Sequence, residues 1–203
     1  VWGGLLTFVV FVNASASDAI QNSAEALYAC HGEKAVRIAE PTMPLPMRKA
    51  IEKRIAKAIK QVHSLNQTAE GIGTLEKLGK SGSGAANYWL GRIYMEGIGV
   101  NQDTNAAVHF FRKVQGDFQI SATILSAVIY ARGSANSPPD LPRAEQIFKE
   151  IDHCIKEGSQ THVGRPASED EMRRRLQWHE TSVMLYGYAR ELGIVLDAPM
   201  EMR

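Results

Sequence analysis

Cysteine is scarce, with 2 in 203 residues. That is too few for a disulfide framework or a closed structural zinc site. An excess of one charge is missing too: 23 basic and 22 acidic side chains leave a formal charge of +1. With a pI near 7.9 the chain lacks the basic footprint of a nucleic-acid binder, so no nucleic acid is expected as partner. Aromatic residues are only 7% of the total. Also absent are a Gly-x-Ser-x-Gly elbow, a Walker A loop, His-Glu-x-x-His and Cys-x-x-Cys. Their absence removes the motif-based case for an elbow hydrolase, a P-loop enzyme, a zinc protease or a dithiol oxidoreductase. What is there is 44% hydrophobic and 22% charged, the balance of a folded soluble protein of one domain or two small ones.

Residues 5–12 read Leu-Leu-Thr-Phe-Val-Val-Phe-Val, followed by Ala14-Ser15-Ala16 and then polar Ser17-Asp18. An apolar run followed by small residues is the core and cleavage site of a secretory signal peptide, here residues 1–16. The run falls short of the ~20 apolar residues that span a bilayer. Val1-Trp2-Gly3-Gly4 carries no Lys or Arg, so a basic start is missing; the alternative is a buried element of the domain. A cleaved signal implies a periplasmic or secreted chain beginning near Ser17. In that oxidising setting Cys30 and Cys154 can pair, closing a long loop worth about 4 kcal/mol. The other reading is two independent buried hydrophobes. Tyr28 argues against a lipid anchor at Cys30.

The middle of the chain repeats itself. Ala86, Leu90, Ile93 and Gly97 form one helical stripe, Gly97 and Gly99 end that helix, and Asp103 caps a second one. The second stripe is Ala107, Val108, Phe111 and Val114. Ala86, Tyr94 and Gly97 recur 36 residues on as Ala122, Tyr130 and Gly133. After one extra loop residue in Asn136-Ser137-Pro138-Pro139 the offset is 37, so Asp103, Ala107 and Phe111 recur as Asp140, Ala144 and Phe148. Upstream, Ile72, Leu75, Lys77 and Leu78 precede Val108, Phe111, Lys113 and Val114 by 36.

The pattern Ala86-xxx-Leu90-Gly91-xx-Tyr94-xx-Gly97-x-Gly99-Val100-xx-Asp103-xxx-Ala107 resembles the Sel1-like repeat, a relative of the tetratricopeptide repeat. The resemblance is strongest over 85–116 and weakens over 119–157, where Ser126 and Ala127 replace Leu-Gly; at 182–193 a remnant keeps Tyr186-Gly187 and Gly193. It implies an all-α fold: an α-solenoid of stacked antiparallel hairpins with helical caps at both ends. A single hairpin cannot bury its own stripe, which is the physical reason for stacking. The expected organisation is a cap over 17–66, a repeat core over 67–157, and a mobile loop (Gly158 to Pro166) with a C-terminal cap over 158–203. In the caps, Met47, Ile51, Ile55, Ile59 and Val62 form one apolar face. Met172, Leu176, Val183 and Leu185 are expected to supply contacts in the last helix.

Few residues point to chemistry. Gly71-Ile72-Gly73 falls within a helix and Gly97-Ile98-Gly99 in a repeat turn, so neither reads as a phosphate loop. Cys30-His31 and His153-Cys154 are adjacent pairs that diverge by about 100° on a helix, which disfavours shared metal ligation. His109 reads as a packed or half-exposed histidine, and Trp178-His179-Glu180 as helix neighbours rather than a catalytic pair. The basic segment 48–60 is a solvated helix face, with contact to a membrane surface the lesser alternative. No catalytic, cofactor or metal residues are assigned.

The resemblance implies a protein partner gripped by the first helix of each hairpin, through Asn87, Arg92, Glu96, Thr123 and Arg132. The expected function is a non-catalytic periplasmic interaction module: an envelope scaffold, a regulator of a cell-wall enzyme, or an immunity protein against a secreted toxin. The alternative is a hydrolase acting on cell-wall or β-lactam substrates, an activity of cysteine-rich relatives whose per-repeat disulfides this chain lacks.

Overall fold

A computed structural model describes residues 45–64, 66–134, 137–160 and 169–196. Among them the regular structure is helical: α1 (Leu45–Val62), α2 (Thr68–Lys80), α3 (Gly84–Glu96), α4 (Thr104–Phe111), α5 (Gln119–Arg132), α6 (Leu141–Gln160) and α7 (Glu169–Glu191). A single 3-10 turn lies at Gly116–Phe118, and Ser134 and Ser137 form an isolated bridge. The all-α expectation holds. The signal segment 1–16 and residues 17–44 of the expected cap, Cys30 included, lie outside the described residues. No described helix is long and apolar enough to cross a membrane.

The hairpin α3–α4 forms for the reasons its residues suggest. Ser83 caps α3 by accepting from the Ala86 N–H at 3.3 Å, and Gly97, at φ 70°, ends it in the left-handed region. Asp103 caps α4 through the Ala106 N–H at 2.9 Å. In the second hairpin, α5–α6, Asp140 accepts from the Arg143 N–H at 3.1 Å and Gly133 has φ 75°. One long-range hydrogen bond is also repeated. The Asp103 N–H donates to the Tyr94 carbonyl at 2.9 Å, and the Asp140 N–H donates to the Tyr130 carbonyl at 2.8 Å. The two loops therefore close alike, despite the extra residue in the second.

Burial follows the repeat. Ala86 and Ala122, Ala107 and Ala144, and Phe111 and Phe148 are all buried. Leu75 and Leu78 are buried like Phe111 and Val114. Gly91 sits under the Phe111 ring, where an added Cβ would lie 2.4 Å from ring carbons, so glycine here sets how closely α3 meets α4. This ring packs on α3 within its own hairpin and also belongs to the buried cluster that includes α5 and α6. Tyr94 likewise stacks on Phe110 of the same hairpin, centroids 5.5 Å apart.

Each helix packs on the next in sequence, and α1 also touches α3, α3 touches α5, and α5 touches α7. Buried side chains form two clusters that meet at α3. Ala86, Leu90 and Ile93 join α1 and α2; Tyr88 and Met95 join α4, α5, α6 and α7. Burial on two sides removes the one-faced amphipathic pattern from α3 and α5.

Three expectations change. The segment expected to loop from Gly158 begins as helix, since α6 continues to Gln160; residues 161–168 lie outside the described set. In α7, Met172, Leu176 and Val183 are exposed and only Leu185 is buried. The covered face is instead Thr181, Ser182, Leu185, Tyr186 and Ala189, because that is the side meeting α5 and α6. Met47 is exposed, while Ile55 and Val62 face α2.

Candidate interaction surface

Four of the five residues expected to contact a partner lie at or near the surface of α3 and α5. Arg92 and Glu96, one turn apart on α3, form an ion pair: Nε and Nη2 donate to Glu96 Oε1 at 2.8 and 2.6 Å. The Arg92 guanidinium also lies 5.2 Å from the Trp89 ring centre. Arg132, at the end of α5, pairs with Glu191 of α7 and lies 6.0 Å from the Tyr188 ring. Thr123 is half-buried and its hydroxyl donates to the Gln119 carbonyl at 3.0 Å, so its proton is engaged within its own helix. Asn87 is different. It is 5% exposed, with Nδ2 donating to the Lys113 carbonyl at 3.4 Å, and it ties α3 to the end of α4 instead of facing outward.

The arrangement is one motif made twice: an arginine held by a glutamate and laid against an aromatic ring. Tyr88 lies beneath it, 4.9 Å from Phe118 in a stacked contact. Burial pushes the Tyr88 phenol above its ordinary pKa, opposed by the Arg92 charge and reinforced by Tyr188. For Arg92 itself, burial works against the charge, but the hydrogen bond and charge of Glu96 outweigh it and hold the guanidinium above its ordinary value. Each arginine is oriented by its glutamate and its ring. The ion pairs are half-exposed, so each contributes little to stability.

Sequence reasoning missed Trp89, Tyr188 and Glu191. Trp89 is legible as a helix neighbour three residues before Arg92. Glu191 is not, because it comes from another helix 59 residues away from Arg132.

The weighed chemical residues do not converge. His109, His153, His179 and Glu180 are exposed, Trp178 is half-buried, and Cys154 is buried and disulfide-bonded. Among the described residues no group of three His, Cys, Asp or Glu side chains can hold a metal ion. A cleft between α2 and α4 includes His109 but none of His153, His179 or Glu180, so it does not assemble the residues an alternative hydrolase would draw on. No family model matches the chain, and no curated protein or solved structure is similar to it at a significant level.

Proposed function

We propose that the chain is a non-catalytic protein-interaction module working outside the cytoplasm, built as a Sel1-like α-solenoid that uses α3, α5 and α7 to grip a partner protein. The observation that carries this reading is the doubled arginine–glutamate–aromatic cluster at Arg92 and Arg132. Arginine and large aromatic rings are the side chains on which protein interfaces concentrate binding energy. Contact between alternate helices supports a solenoid, since in stacked hairpins the first helix of one unit meets the first helix of the next. Secretion rests on the sequence of residues 1–16, and a bridge between Cys30 and Cys154 accords with the oxidised state of Cys154.

The test is capture from a bacterial envelope extract on immobilised residues 17–203, beside Arg92→Gln/Arg132→Gln and Arg92→Glu/Arg132→Glu variants of unchanged circular dichroism. A protein retained by the parent, weakened by the neutral pair and lost with the acidic pair is the expected result. Equal retention by all three refutes the assignment of this surface. Absence of any retained protein at low salt counts against the interaction role itself.

A further inference from the structure

A second surface, on different residues, carries its own chemistry. The cleft between α2 and α4 has a volume of about 690 Å³, within the range of small-molecule sites. Its walls include Lys80, Arg112 and Lys113, with Glu76 as the one carboxylate among the described residues. Three cations against one carboxylate leave two positive charges, before any contribution from His109. Asn87, 5% exposed, lies at the cleft, and Phe110 supplies an apolar wall.

Basic residues at helix C-termini commonly serve only to offset the macrodipole and cap carbonyls. Here the carbonyls have other donors. At the end of α2, those of Lys77, Leu78 and Gly79 accept from the N–H groups of Ser81, Ser83 and Gly82, and Leu78 also accepts the Ser81 hydroxyl. At the end of α4, the carbonyls of Val108, Phe110 and Phe111 accept from the N–H groups of Arg112, Lys113 and Val114. The Lys113 carbonyl takes the Asn87 carboxamide. Among the described residues no ion pair reaches Lys80, Arg112 or Lys113. Lys113 also lies 5.7 Å from the centre of the Phe110 ring, a contact that leaves its charge without a counter-ion among the described residues.

We propose that this cleft binds a phosphate monoester carried on a small organic molecule. A phosphate monoester above its second pKa of about 6 carries close to two negative charges, matching the surplus. Arg112 offers a planar fork suited to two phosphate oxygens, and the lysines act as point charges beside it. The Asn87 carboxamide nitrogen, on a residue that lines the cleft, has a second N–H beyond the one on Lys113. The volume exceeds what a lone phosphate fills, and Phe110 gives the organic part of the ligand a surface to cover. None of this depends on the Arg92–Arg132 surface.

The experiment is a calorimetric titration of the full chain at pH 8, using phenyl phosphate, inorganic phosphate and glutarate as probes. Phenyl phosphate is expected to bind saturably and more tightly than inorganic phosphate or the dicarboxylate. An Arg112→Gln/Lys113→Gln variant, both positions exposed and so compatible with folding, is expected to weaken it about tenfold or more. A Lys53→Gln/Lys57→Gln variant on the exposed face of α1 is expected to stay within about twofold, since distant exposed charges are screened. Equal loss in both variants shows general charge attraction and overturns the site. So does glutarate binding as tightly as phenyl phosphate, or no saturation up to about 10 mM.

Discussion

Gly91 illustrates how one missing methyl group sets a helix spacing. Its Cβ position is taken by the Phe111 ring, so Gly91→Ala is expected to cost about 1–3 kcal/mol in urea denaturation, as overpacking does. Combining it with Phe111→Leu is expected to return part of that loss. The equivalent position in the next hairpin is Ala127, buried and already carrying a Cβ. Tyr88 makes a second residue-scale prediction. Its phenol is held neutral by burial, so its folded pKa lies above the unfolded value of 10.0. Folding stability from this group is complete below pH 10.0 and falls as pH rises through the raised value. Ultraviolet titration should show a late-ionising phenol that is lost in Tyr88→Phe.

At the scale of elements, the helix starts and the α6–α7 contact are the informative places. Asp103→Ala and Asp140→Ala each remove a side-chain acceptor at a helix start, with an expected loss of about 1 kcal/mol apiece. The sites are in different hairpins, so the losses should add in the double variant. Between α6 and α7, Tyr186 donates to Asp152 Oδ1 at 2.5 Å while Lys156 donates to Oδ2 at 2.7 Å, and Asp152 is buried, 8% exposed. Tyr186→Phe withdraws a donor from a buried charge and should cost about 1.5–3 kcal/mol, read as a shift in the urea midpoint. The helix starts were legible because a cap is a local event over three residues. The Tyr186–Asp152 contact spans 34 residues and has no local signature.

For the whole molecule, redox state is the accessible test. Cys154 is buried and oxidised, and the proposed partner is Cys30. The unreduced chain, unfolded in guanidinium, is expected to take up no thiol-reactive label, and the reduced chain two labels, counted by mass spectrometry. Reduction should also lower stability by an amount on the order of 4 kcal/mol, because the loop closed is long. The same scale explains α7. Its Gly187 matches the Gly91 position of α3 in the sequence pattern, yet among the described residues nothing lies where its Cβ would project, as no described helix packs there as α4 packs on Gly91.

The sequence by itself determined the helical class, the hairpin from Gly84 to Phe111 and its echo from Gln119 onward, and the turn glycines. These follow from periodicity and caps, which act over a few residues. Tertiary structure alone decided which faces are buried. It made Asn87 an internal tie and left Met172, Leu176 and Val183 exposed. It also brought Glu191 to Arg132, and Arg112 and Lys113 to Lys80 across a cleft. The reason is physical: a helix pattern states that an apolar side exists, but which neighbour covers it depends on how distant segments stack.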